Sequence, residues 1–78
     1  MTREQFIAEF AGLLEIQPEQ LTETTRMAEL ETWDSVAYLS AMVLIDERLG
    51  VTVKPEVLSR SESFGDILRA VEDTFEAR

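Results

Sequence analysis

Cysteine and histidine are both absent from this chain. Without cysteine there is no disulfide framework and no thiolate metal site, and the absence fits a reducing compartment without demanding one. Without histidine, the usual general base, no serine has an ordinary partner to activate it as a nucleophile. A neighbouring carboxylate is too weak a base to do so unaided. A Gly-rich phosphate loop and metal-ligand spacings are also missing, so the chain is not expected to be an enzyme or to bind a metal.

Long apolar runs are lacking too. The opening residues Met1-Thr2-Arg3-Glu4-Gln5 carry no basic flank followed by an apolar stretch, and nothing downstream approaches bilayer-spanning length. A soluble, cytoplasmic chain without a membrane span is expected. Positive charge is in short supply: 7 Lys and Arg stand against 16 Asp and Glu, a formal net charge of −9. Such a field repels nucleic acid backbones and anionic leaflets, and it favours encounter with basic protein surfaces. The same acidity also keeps a small helical domain soluble.

What remains is 78 residues with 45% hydrophobic content, enough for one domain, residues 1–78, with one small core. Thr2 followed by Gln5 matches a capping box, and Phe6, Phe10, Leu13 and Leu14 recur at helical spacing beside Ile7. A first helix over about residues 3–15 follows, and Pro18 bars its continuation. Next comes a long polar connection to Asp34. Leu21, Met27 and Leu30 are spaced to pin it across a helix pair, and Pro18 to Leu21 suits one helical turn.

From Asp34 the helical pattern resumes and runs to Leu49, with Gly50 as its left-handed terminator. At about 100° per residue, Leu39, Met42, Ile45 and Leu49 share one arc, flanked by Tyr38 and Ala41, and this arc is the expected core face. Val36 and Val43 fall on another arc with Ser40 and Glu47, a contact patch pointing outward. Val51-Thr52-Val53 alternates like a strand but is too short to build a sheet, so it reads as an extended linker. Pro55 opens a short helix that buries Val57 or Leu58. Ser63 and Asp66 resemble a capping box ahead of a last helix with the stripe Phe64, Ile67, Leu68, Val71 and Phe75. The fold expected is all-α, a small bundle of three principal helices plus one short one, with a long first connection.

One serine stands out within this frame. Ser35, in Trp33-Asp34-Ser35-Val36, sits where the long connection ends and the second major helix begins. It reads as an attachment point, although Asp34 and Ser35 are also both favoured N-cap residues. Asp34-Ser35-Val36 in this register, the acidic chain, its length, the long connection and Val53-Lys54-Pro55-Glu56 together resemble the acyl carrier protein family over essentially the whole chain. The family's own signature is Asp-Ser-Leu.

The resemblance implies that a phosphopantetheinyl transferase moves 4′-phosphopantetheine from coenzyme A onto the Ser35 hydroxyl, and that the terminal thiol then carries acyl groups as thioesters. It implies a stand-alone, monomeric carrier that presents intermediates of fatty-acid, polyketide or related biosynthesis to acyl-activating, synthase or transferase enzymes with basic docking surfaces. The second helix is the family's recognition element, so Asp34, Val36, Val43, Asp46 and Glu47 are its expected partner-binding residues here. Apolar helix faces line the family's cargo pocket, which Tyr38 would border. Ala37 and Ser40 stand where common fatty-acid carriers have acids, Arg48 interrupts the acidic end, and Val36 replaces leucine. Trp33 is expected to be a loop anchor packed on the bundle. Two alternatives stay open. An aminoacyl or peptidyl carrier of a specialised pathway would usually show Gly-Gly before the His-Ser or Asp-Ser pair, which Glu31-Thr32-Trp33-Asp34 lacks. An unmodified helical adaptor would bind partners through Val36 and Val43.

Overall fold

The computed structural model describes residues 1–75. Four helices form the bundle: α1 at Arg3–Leu14, α2 at Ser35–Leu44, α3 at Pro55–Arg60 and α4 at Phe64–Val71. Helix α2 runs on through one widened π turn at Ile45–Leu49 before Gly50 ends it in the left-handed region at φ 70°. Single 3-10 turns at Pro18–Gln20, Met27–Glu29 and Glu72–Thr74 punctuate the connections. Val51 to Val53 adopts no regular secondary structure and pairs with no strand among the described residues, as its length predicts.

Local signals set the helix starts. Thr2 Oγ1 accepts the Gln5 amide at 3.2 Å while Gln5 Oε1 accepts the Thr2 amide at 2.9 Å, so two otherwise orphaned donors are satisfied together. Ser63 and Asp66 make the corresponding box at α4. Backbone N–H groups of Ser63 and Glu62 hold the Asp66 carboxyl below the ordinary carboxylate range, with Arg69 assisting. The first helix stops at Glu15, a non-glycine residue in the left-handed region at φ 61°.

The core is an aromatic cluster wrapped by aliphatic side chains. Phe6 and Phe10 of α1 meet Phe64 of α4 at ring separations of 6.3 and 5.0 Å, and Phe75, beyond the end of α4, closes on Phe6 at 5.5 Å. Leu14, Ile45, Leu58, Ile67, Leu68 and Val71 complete it. Of the two candidates in α3, Leu58 is the one fully buried, and Val57 is half-buried.

The inward face of α2 departs from the expectation. Ala37, Ala41 and Ile45 are buried, whereas Leu39 is 61% exposed and stands outside with Val36 and Val43. Tyr38, Met42 and Leu49 are half-buried at the margin. The core arc is therefore centred nearer α1 than the bulky residues suggested. The physical reason lies in the partner helix: Phe6, Phe10 and Leu14 of α1 already fill the shared interior, so α2 meets it with alanines.

The long connection is tied down as its apolar tacks predict, with Leu21 and Met27 buried and Leu30 half-buried. Backbone bonds add a seam the sequence did not announce. Phe64 and Gly65 donate to Thr25 and Glu23 carbonyls at 2.8 and 3.0 Å, and Met27 donates to Glu62 at 2.9 Å. The seam fastens the connection to the start of α4 and leaves residues 31–34 to deliver the chain to α2. Among the described residues no helix is long and apolar enough to cross a membrane.

Candidate functional site

The site is built around the first turn of α2. Asp34 is the N-cap in extended conformation, and its Oδ1 accepts the Ala37 amide at 2.9 Å while its carbonyl accepts the Tyr38 amide at 2.9 Å. The carboxylate is thereby committed to starting the helix. Ser35 follows as the first helical residue and is exposed. First-turn amides have no intrahelical acceptor, so those of Ser35 and Val36 stand at the open, electropositive end of α2.

Upstream, the approach is held by backbone and ring contacts. The Trp33 amide donates to the Leu30 carbonyl at 3.1 Å and the Asp34 amide to Thr32 at 3.0 Å. The half-buried Trp33 ring lies 5.8 Å from Phe10 and 6.1 Å from Tyr38, a loop anchor against the bundle as expected. Tyr38 in turn donates its hydroxyl to the Pro55 carbonyl at 2.6 Å, joining α2 to the first residue of α3.

The expected partner-binding residues share the outward side of α2. Val36, Leu39 and Val43 are 70%, 61% and 54% exposed, an apolar stripe at helical spacing that contains one residue the wheel had assigned to the core. Exposed Asp46 and Glu47 flank its far end, and exposed Glu31 and Asp34 its near end. Arg48 does not interrupt the acids on that face. Its guanidinium turns back to Glu9 of α1 at 2.9 Å.

Two cavities of ≈ 270 Å³ each lie on opposite flanks of α2. One, beside Ser35, is bounded by the end of α1 and the approach loop, with Glu15, Glu31 and Asp34 on its rim. The Thr32 hydroxyl beside it is buried without a hydrogen-bond partner among the described residues. The second lies toward α3 and is lined by Met42, Val43, Asp46, Thr52 and Val53. Its lining could not be listed from helical periodicity alone, because Thr52 and Val53 come from the linker after α2.

An exposed hydroxyl at a helix start, next to uncommitted backbone amides, suits a phosphodiester better than it suits a nucleophile. Comparison with known proteins agrees with that chemistry. The family model described as phosphopantetheine attachment site matches residues 4–71. A relative from Mycolicibacterium paratuberculosis, acyl carrier protein MbtL, is 37% identical over 68 residues, covering 82% of this chain and 76% of the relative. The chain thus belongs to the phosphopantetheine attachment family, as a carrier domain whose cofactor is covalently attached 4′-phosphopantetheine.

Proposed function

We propose that the chain is a stand-alone acyl carrier whose 4′-phosphopantetheine is joined through Ser35. The observation that carries this reading is the exposed position of Ser35 at the mouth of α2, capped by Asp34. A transferase joins the serine oxygen to the phosphorus of the phosphopantetheine. The hydroxyl proton is lost, and adenosine 3′,5′-bisphosphate leaves coenzyme A. The group supplies a terminal thiol for thioesters. The chain's own share is to hold the phosphodiester where the helix dipole favours negative charge, by about 0.3–1 kcal/mol, and to keep Asp34 engaged with the Ala37 amide.

The outward face of α2 supplies recognition in this reading. Val36, Leu39 and Val43 offer apolar contact, and Asp34, Asp46 and Glu47 favour a partner with a basic rim. In this reading the enzymes served belong to fatty-acid, polyketide or related biosynthesis; the name of the mycobacterial relative supports an acyl cargo and no narrower class. Incubation with coenzyme A and a broad-specificity phosphopantetheinyl transferase, followed by intact-mass measurement, tests the assignment. The wild type gains one phosphopantetheine and Ser35→Ala gains none; an unmodified wild type, or a modified Ser35→Ala, refutes it.

A further inference from the structure

Lys54 is the one lysine of the sequence, and so its one side-chain amine. It immediately precedes α3, it is exposed, and its ammonium has no ion pair or hydrogen bond among the described residues, whereas Arg3, Arg48 and Arg69 each pair with a carboxylate. An arginine stays charged at any pH a protein meets, but a lysine that gives up its proton is a nucleophile. None of the chemistry derived above uses it.

The fold holds Lys54 near the end of α2 that starts at Ser35. Tyr38 lies three residues into that helix, roughly 4–5 Å along its axis, and its hydroxyl donates to the Pro55 carbonyl at 2.6 Å. Lys54 is the chain neighbour of Pro55, with Cα atoms about 3.8 Å apart. The Tyr38 ring is set by Trp33, which packs on Phe10 of α1, so the attachment end of α2 and the start of α3 are tied to one interior. The amino group of Met1 belongs to the other end. Leu13 and Glu15 border a cavity with Asp34 and Val36, while Glu9 pairs with Arg48, so α1 and α2 run antiparallel and the start of α1 lies beside the far end of α2.

We propose that Lys54 is a self-acylation site, whose amine takes the acyl group from a thioester on the chain's own phosphopantetheine arm. The proposal rests on Ser35 carrying that arm in its loaded form. In the step, the neutral nitrogen adds through its lone pair to the thioester carbonyl carbon and the carbon–sulfur bond breaks. The sulfur leaves as the thiol, with the proton that nitrogen releases. An amide on Lys54 and a free thiol result, and no further reactant is consumed. Amine and thioester are both tethered to one small bundle by flexible stems, so they meet at an effective concentration on the order of millimolar, and neither needs a fixed direction. Acylation also removes the positive charge of the lysine.

The amide resists hydroxylamine and the thioester does not, which gives the reaction its signature. Wild type and Lys54→Arg are loaded from acetyl-coenzyme A by a broad-specificity phosphopantetheinyl transferase, freed of excess acetyl-coenzyme A and incubated at mildly alkaline pH. Hydroxylamine then strips the remaining thioester, and intact mass and peptide mapping locate what is left. Wild type is expected to keep one acetyl group on Lys54 and Lys54→Arg none, at a rate unchanged by dilution of the protein. The unmodified chain, given a free acetyl thioester at about a tenth of the millimolar effective concentration, is expected to acquire acetyl on Lys54 about tenfold more slowly. Self-acylation is overturned by a loaded wild type without resistant acetyl, by acetyl on the Met1 amine in place of Lys54, by a rate that falls with dilution, or by equal labelling of the unmodified chain. Absence of any loaded mass overturns the carrier reading itself, and the proposal with it.

Discussion

Replacing glycine with alanine at two positions should move stability in opposite directions, and the seam beneath α4 explains why. A Cβ on Gly65 would lie 2.7 Å from the Glu23 carbonyl oxygen and 3.2–3.3 Å from the Glu23 Cβ and Cα. The obstruction is backbone, so relief requires the connection and α4 to part by several tenths of an ångström. Parting lengthens the Gly65–Glu23 hydrogen bond, now 3.0 Å, and strains the adjacent Phe64–Thr25 bond at 2.8 Å. Overpacking typically costs about 1–3 kcal/mol and a weakened hydrogen bond about 1 kcal/mol. The helix propensity of alanine returns at most about 1 kcal/mol. The net loss for Gly65→Ala is about 2 kcal/mol, and at roughly 4–8 °C per kcal/mol for a domain of this size the thermal midpoint falls by about 8–16 °C. Gly12 stands in the last turn of α1 with nothing within 4 Å of its added Cβ. There only the propensity gain acts, and Gly12→Ala should raise the midpoint by a few degrees, from about 0.5 kcal/mol. Circular dichroism melts at one pH and salt concentration measure both. A Gly65→Ala midpoint equal to or above wild type would refute the close approach.

Two further outcomes follow from the α2 stripe and the α4 cap. Val36→Asp, Leu39→Asp and Val43→Asp should each leave the thermal midpoint within the change of about 0.5 kcal/mol usual for surface sites, yet weaken partner-dependent acylation; a large loss of stability for Leu39→Asp would return that residue to the core. Asp66 has a lowered folded pKa, so its stabilising contribution is complete above the unfolded carboxylate pKa and disappears as pH falls through the folded value. Melts of wild type and Asp66→Asn should therefore differ near neutrality and converge in acid below the ordinary carboxylate range, and a difference independent of pH would contradict the cap assignment.

What could be read in the chain was local, and what could not depended on a distant partner. Thr2 with Gln5, Ser63 with Asp66, Pro18 and Gly50 act within a few residues of themselves, so their structural consequences follow wherever the helices go. Leu21 and Met27 were legible as anchors because few other apolar residues interrupt the long connection. Ser35 was legible as an exposed helix start for the same local reason, whatever it carries. The wheel for α2 failed at Leu39 because it weighted bulk, whereas the depth available on α2 is set by the phenylalanines of α1. Gly65 gave no signal either, since its requirement comes from a backbone oxygen 42 positions earlier in the chain, at Glu23. The Tyr38–Pro55 bond spans 17 residues and lies beyond any helical period.

The placement of bulk on α2 bears on why its outer stripe stays uncovered. Burying a side chain of the size of Val or Leu is worth about 1.5–3 kcal/mol, and Val36, Leu39 and Val43 largely forgo it while Ala37 and Ala41 occupy the interior. Folding alone gives no reason for that arrangement, because polar residues at the three outer positions would serve solubility better. In the reading proposed above, the apolar stripe beside acids serves as a transient docking face: enough apolar surface to be covered, and charge to choose what covers it. The choice also works against self-association. A second copy brings the same Asp46 and Glu47 to the contact and shares the net charge of −9, so its approach is opposed by like-charge repulsion, whereas a basic rim is drawn in by the same field. Pairing Arg48 with Glu9 of α1 sharpens this discrimination, since it engages at the surface a cation that a second acidic copy could use.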